Sequence, residues 1–137
     1  MAVPPREQYR RDYVFLTPNR YAFDFVVITA SAEAEVLLDG EPPDPRDCEV
    51  SPADGIPRAP GDPPPREVIY RCQLSFPDIA NCPPEEEGCE GGVLDGDQND
   101  GVHTVVATEP VGIMVYGFDS FVSYAYAGGL NLLPIPR

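Results

Sequence analysis

Oxygen-bearing side chains crowd into one short stretch of this sequence, Asp95-Gly96-Asp97-Gln98-Asn99-Asp100-Gly101. Asp95, Asp97 and Asn99 alternate, and Asp100 adjoins them. A calcium ion takes about six to eight oxygens, and a short Asp/Asn loop can wrap one. The spacing approaches a helix–loop–helix calcium loop and then departs from it. Asp100 stands where glycine is required, and Val106 stands where a bidentate glutamate is required. Bound calcium would need further oxygens, with Glu90 and Glu109 as candidates. The same residues also suit a solvated Asn-Asp-Gly turn leading into a strand. The stretch is therefore read as a turn, with calcium as the one cofactor the sequence suggests.

Four cysteines, Cys48, Cys72, Cys82 and Cys89, are separated by gaps of 24, 10 and 7. Zinc sites pair their ligands only a few residues apart. The even count and these gaps point instead to disulfides and an oxidised, exported protein. Three pairings exist; Cys48–Cys72 with Cys82–Cys89 is preferred.

His103 is the single imidazole. Catalysis would require a nucleophile or a carboxylate held beside it. There is no Gly-x-Ser-x-Gly elbow and no phosphate-cradling glycine loop. Asp78 and Glu85–Glu87 read as solvated loop acids. His103 is read as a hydrogen-bonded structural residue, and no catalytic residue is assigned. Among the aromatics Tyr116, Phe118, Phe121, Tyr124 and Tyr126, most suit a core. Tyr116, Tyr124 and Tyr126 are the candidates for a protein- or glycan-binding surface.

The elements that must position these residues read as strands. Val102–Ala107 and Val111–Phe118 are rich in residues that suit a pleated surface. Thr108-Glu109-Pro110 between them predicts a hairpin, and Phe121–Tyr126 a third strand of a meander. Upstream, Asp12–Thr17, Ala22–Ala30 and Ala34–Asp39 predict strands, the last followed by an Asp39-Gly40 turn. Glu41–Arg66 holds nine of the 18 prolines and predicts a long extended loop. Glu67–Phe76 alternates with period two, which turns Cys72 inward. Leu130–Ile135 is a candidate edge segment. About seven short strands without a helix predict an all-β, antiparallel two-sheet sandwich, jelly-roll-like, in one domain.

Two ends of the chain resemble a known family. The string Asn99–Gly129 carries Gly101-x-His103, Pro110–Gly112, Val115–Phe118 and Ser123–Gly129. The opening, Tyr9–Asp39, carries matching strands. Both are similar to the N-terminal domain family of IgG Fc-binding protein, and closer still to the bacterial surface and secreted proteins that share this module, many of them from myxobacteria-like organisms. The resemblance covers Tyr9–Asp39 and Asp95–Leu130. Family modules are usually longer, which implies an excised or C-terminal half of a larger domain.

Charge narrows the partners. Nine basic residues against 23 acidic ones leave a net charge of −14. Nucleic-acid phosphate and anionic lipid are disfavoured by that balance. No run approaches the ~18 apolar residues of a membrane span. No signal peptide is visible in the chain. With the resemblance, these features imply an extracellular or cell-surface module that binds protein or glycan without catalysis. The alternative is a structural, self-assembling surface subunit that docks copies of itself by strand addition.

Overall fold

The computed structural model describes residues 4–19, 21–78 and 93–130. Nine strands follow a short 3-10 turn at Arg6–Gln8: β1 (Arg10–Thr17), β2 (Phe23–Ser31), β3 (Val36–Leu38), β4 (Cys48–Pro52), β5 (Glu67–Gln73), β6 (Phe76–Asp78), β7 (Leu94–Asp97), β8 (Gly101–Asp119) and β9 (Val122–Ala127). All pairings are antiparallel, and the fold is an all-β sandwich. The small pair β6–β7 stands apart from a seven-stranded system joined through β8.

The expected hairpin at Thr108-Glu109-Pro110 is not formed. Both apolar runs belong to the single strand β8, which pairs with β1 and β3 over its first half and with β2 and β9 over its second. Opposite β1, Asp12 faces Val106 while Arg10 faces Val111, so the four residues Ala107–Pro110 of β8 stand against Arg11 alone, three more than the ladder needs. This is an extended bulge. Pro110 has no N–H to give a ladder, which suits it to such a place. Thr108 is pinned there: its N–H donates to the Glu35 carbonyl and its hydroxyl accepts from the Glu35 N–H, both at 3.0 Å.

The bulge lets one strand serve both layers. Tyr13 and Phe15 of β1, Val105 of β8 and Val36 of β3 meet Val26 and Ile28 of β2 and Ile113 and Val115 of β8 in one buried cluster. Tyr13 marks the join, its hydroxyl donating to the Val111 carbonyl at 2.6 Å.

Two other expectations need amending. The proline-rich stretch Glu41–Arg66 is not loop throughout, because it contains β4. That strand lies on an edge beside β5, where Pro52 interrupts no ladder between two neighbours. Glu67–Phe76 does not run as one strand; β5 stops at Gln73 and β6 begins at Phe76. The Asp39-Gly40 turn is present. Both residues have positive φ, 52° and 86°, and Leu38 and Glu41 exchange backbone hydrogen bonds of 2.8 and 3.1 Å. This is the tight hairpin for which Asp-Gly is suited. Leu130–Ile135 lies beyond the described residues except for Leu130.

Candidate binding surface

The Asp39-Gly40 turn sets a carboxylate against β8. Asp39 Oδ1 accepts from the Thr104 N–H at 2.7 Å, and Oδ2 accepts from His103 Nδ1 at 2.7 Å. His103 Nε2 lies 2.9 Å from the Asn99 carbonyl and 3.1 Å from the Thr17 hydroxyl. Phe15 stacks on the imidazole. Hydroxyl, imidazole and carboxylate thus stand in the order of a hydrolase triad. Here, however, Thr17 is only 1% exposed and its hydroxyl faces main-chain carbonyls of Asn99 and Gly101. A substrate carbonyl has no path to that oxygen. The cluster ties the Asn99 turn to three strands, the structural part expected of His103.

A second buried acid continues the polar seam. Asp24 of β2 is fully buried and accepts hydrogen bonds from Ser75 (2.8 Å) and Tyr124 (2.5 Å). The Ser75 hydroxyl also accepts from the Asn99 N–H at 3.3 Å. Burial, then the Asp24 carboxylate, pushes the Tyr124 phenol far above its ordinary value of 10.0. Hydrogen bonding at every buried group is what makes such a seam tolerable in an apolar core. Among the described residues no buried side-chain nitrogen or oxygen lacks a partner.

The outward face of the first layer is different. On β1 and β8, Tyr13, Phe15, His103 and Val105 point inward, so Val14, Leu16, Val102 and Val106 point out. Register places Leu16 opposite Val102, Val14 opposite Thr104, and Leu37 of β3 opposite Val106. Val102 is 71% exposed, Val14 68% and Leu16 52%. Five apolar side chains therefore adjoin one another in water. An apolar group of this kind, unlike a lone exposed leucine, is a candidate interaction surface. Acids border it: Asp12 lies opposite Val106, and Glu35 and Asp39 flank β3. The signal for this face was present in the sequence as apolar residues at both parities of Tyr13–Leu16 and Val102–Val106.

The second layer carries its aromatics differently. Phe23 stacks on Phe118 and Phe25 on Tyr116, with ring centroids 4.7 and 5.0 Å apart. The Arg71 guanidinium covers Phe25 at 4.2 Å and donates to the Tyr116 hydroxyl at 2.7 Å. Of the tyrosines singled out above, Tyr116 is thus engaged by Arg71 and Tyr124 by Asp24. The Tyr126 hydroxyl engages the backbone of Leu16. Phe121 is the aromatic that stands wholly in water, at the β8–β9 turn with φ of 67°.

Cys48 and Cys72 face each other across β4 and β5 and form a disulfide. Cys82 and Cys89 lie outside the described residues. Asp95 and Asp97 fall in β7, and Asn99 and Asp100 in the connection to β8. Gly96, between the two strand acids, takes a φ of 61°. Among the described residues no three of His, Cys, Asp or Glu gather as metal ligands. No helix among them is long and apolar enough to cross a membrane.

No curated protein and no solved structure matches the chain. A family model described as IgGFc binding protein matches residues 1–117. That span includes the proline-rich middle, which the motif resemblance left out, and it ends inside β8. With most of its length so matched, the chain belongs to the IgGFc-binding protein family.

Proposed function

We propose that the chain is an extracellular, non-catalytic module that binds a protein partner through the outward face of β1, β8 and β3. The exposed set Val14, Leu16, Leu37, Val102 and Val106 carries this reading. Membership of a binding family and the Cys48–Cys72 disulfide support it. An apolar centre bordered by Asp12, Glu35 and Asp39 complements a partner with an apolar centre and a lysine- or arginine-bearing rim. A protein is favoured over a glycan because the five apolar side chains of this face are all aliphatic and offer no ring for a sugar to stack on.

The family's name makes the Fc portion of immunoglobulin G the first partner to try. Wild-type chain and the variants Leu16→Lys and Val102→Lys would be compared by surface plasmon resonance against Fc and a panel of extracellular proteins. A charge at the centre of the face is expected to weaken binding at least about tenfold. A partner held equally well by wild type and both variants would place the site elsewhere.

A further inference from the structure

The four outer strands of the seven-stranded system are not protected alike. β3 has only three residues, and its last, Leu38, already exchanges backbone hydrogen bonds with Glu41. At β1 the outward backbone groups of Leu16 are taken by the Tyr126 hydroxyl, and Arg10, Arg11 and Asp12 charge the strand. At β4 the strand carries Glu49 and ends in Pro52. Charges, proline and capping are the usual guards of an edge. Val122–Ala127 of β9 has none of them: its sequence is Val-Ser-Tyr-Ala-Tyr-Ala, and among the described residues its ladder partner is β8 alone.

The direction of its backbone groups follows from the register. Gly128 donates its N–H to Ile113, which continues the β8–β9 ladder by one step. In an antiparallel ladder, bonded and non-bonded pairs alternate. Tyr126, Tyr124 and Val122 are therefore the residues bonded to β8. Ser123, Ala125 and Ala127 direct their N–H and C=O groups away from it. Ser123 and Ala125 are exposed.

We propose that β9 pairs with β9 of a second copy of this chain, antiparallel and centred on Ala125. A two-fold axis there sets Ala125 against its own copy and Ser123 against Ala127, giving about six backbone hydrogen bonds. The same register sets Tyr124 beside Tyr126 of the second copy, an aromatic cross-strand pair. The register selects this occupant, because β9 is complementary to itself about Ala125, and charge selects this edge. At a net charge of −14 copies repel, and β9 is the one outer strand of more than three residues where two backbones meet without a charged side chain between them. Because β9 is, among the described residues, the one unguarded edge of more than three residues, the assembly closes as a dimer and does not grow into a filament. The β1–β8–β3 face is not used, so the dimer stands independently of the binding reading above.

Sedimentation equilibrium over roughly 5 to 500 μM tests it. Wild type is expected to pass from monomer to dimer and no further. Ala125→Lys and Ala125→Glu each place like charges across the axis, and each is expected to stay monomeric. An equimolar mixture of the two is expected to restore the dimer. Hydrogen exchange on the wild type gives a readout that needs no variant. The Ser123, Ala125 and Ala127 amides should become slower with concentration, while the Tyr124 amide, bonded to β8, should not change. Wild type monomeric across the range, a dimer kept by both single variants, exchange at Ala125 independent of concentration, or growth beyond the dimer would each overturn the proposal.

Discussion

The hydroxyl of Tyr126 in β9 bridges the backbone of Leu16 in β1, accepting from its N–H at 2.9 Å and donating to its carbonyl. On β8, the partners of these residues are Val102 for Leu16 and Val115 for Tyr126, thirteen positions apart. A straight strand would separate them by ~43 Å at ~3.3 Å per residue. The contact therefore exists because β8 bends at its Ala107–Pro110 bulge and brings its two halves into facing layers. One phenol thus closes the sandwich and seals the outer edge of β1.

Tyr126→Phe should keep the fold and lose this clasp. The Leu16 groups are near solvent and can turn to water, so the cost should be about 0.5–1.5 kcal/mol. Urea denaturation would measure it. Hydrogen exchange at the Leu16 amide should quicken beyond the global change, and an unchanged Leu16 rate would argue against the bridge.

Gly117 of β8 leaves room for the buried seam. A Cβ there would strike the Tyr124 ring and the Asp24 carboxylate and lie 2.6 Å from the Phe23 carbonyl. Since the carbonyl belongs to the paired strand, the neighbours cannot all yield. Gly117→Ala should cost about 1–3 kcal/mol, against a small effect for an added methyl on an open strand. A neutral result in a denaturant titration would mean that Asp24 and Tyr124 do not meet as described.

Alkaline pH should unfold this protein through its phenols. Burial raises Tyr13, Tyr124 and Tyr126 above the ordinary 10.0. Near that pH the unfolded chain loses these protons while the folded chain keeps them. Stability is thus fully present below about pH 10 and falls as pH rises beyond it. Tyr124→Phe should flatten the fall. Denaturation free energies that stay level between roughly pH 9 and 11 would contradict the burial of these rings.

Removing the Cys48–Cys72 bond with paired alanines should cost about 2–5 kcal/mol, since the closed loop spans 24 residues. β4 should show the largest gain in hydrogen exchange, because it is the edge the bond holds. A loss confined to overall stability, with β4 amides no faster than the rest, would show that the ladder alone holds the strand.

Local signals carried much of this fold and misled at three places: the Thr108–Pro110 hairpin, the Glu41–Arg66 loop that contains β4, and the break between β5 and β6. Period two at Val68–Leu74 turned Cys72 inward, where it meets Cys48. The Asp-Gly pair fixed a two-residue turn because few residue pairs accept positive φ twice. Thr108-Glu109-Pro110 failed because a bulge and a hairpin use the same residues. What separates them is whether the flanking runs pair with each other or with β1, β2, β3 and β9, and that is decided far along the chain. The meeting of His103 with Asp39, 64 residues earlier, was illegible for the same reason. The apolar outer face was legible only as excess: β1 and the first half of β8 place apolar residues at both parities, and the second layer covers one of them.

On the proposed reading, the uncovered face of β1, β8 and β3 holds the partner. The most direct measurement is the ratio of dissociation constants between wild type and the double variant Leu16→Lys/Val102→Lys, taken first against Fc and then against each panel protein that binds. Far-ultraviolet circular dichroism and an intact Cys48–Cys72 bond would certify the variant's fold. A ratio of at least about 100 is expected, from about 1.4 kcal/mol or more for each charge. A ratio near one, in a variant that has kept its fold, would contradict the proposed reading.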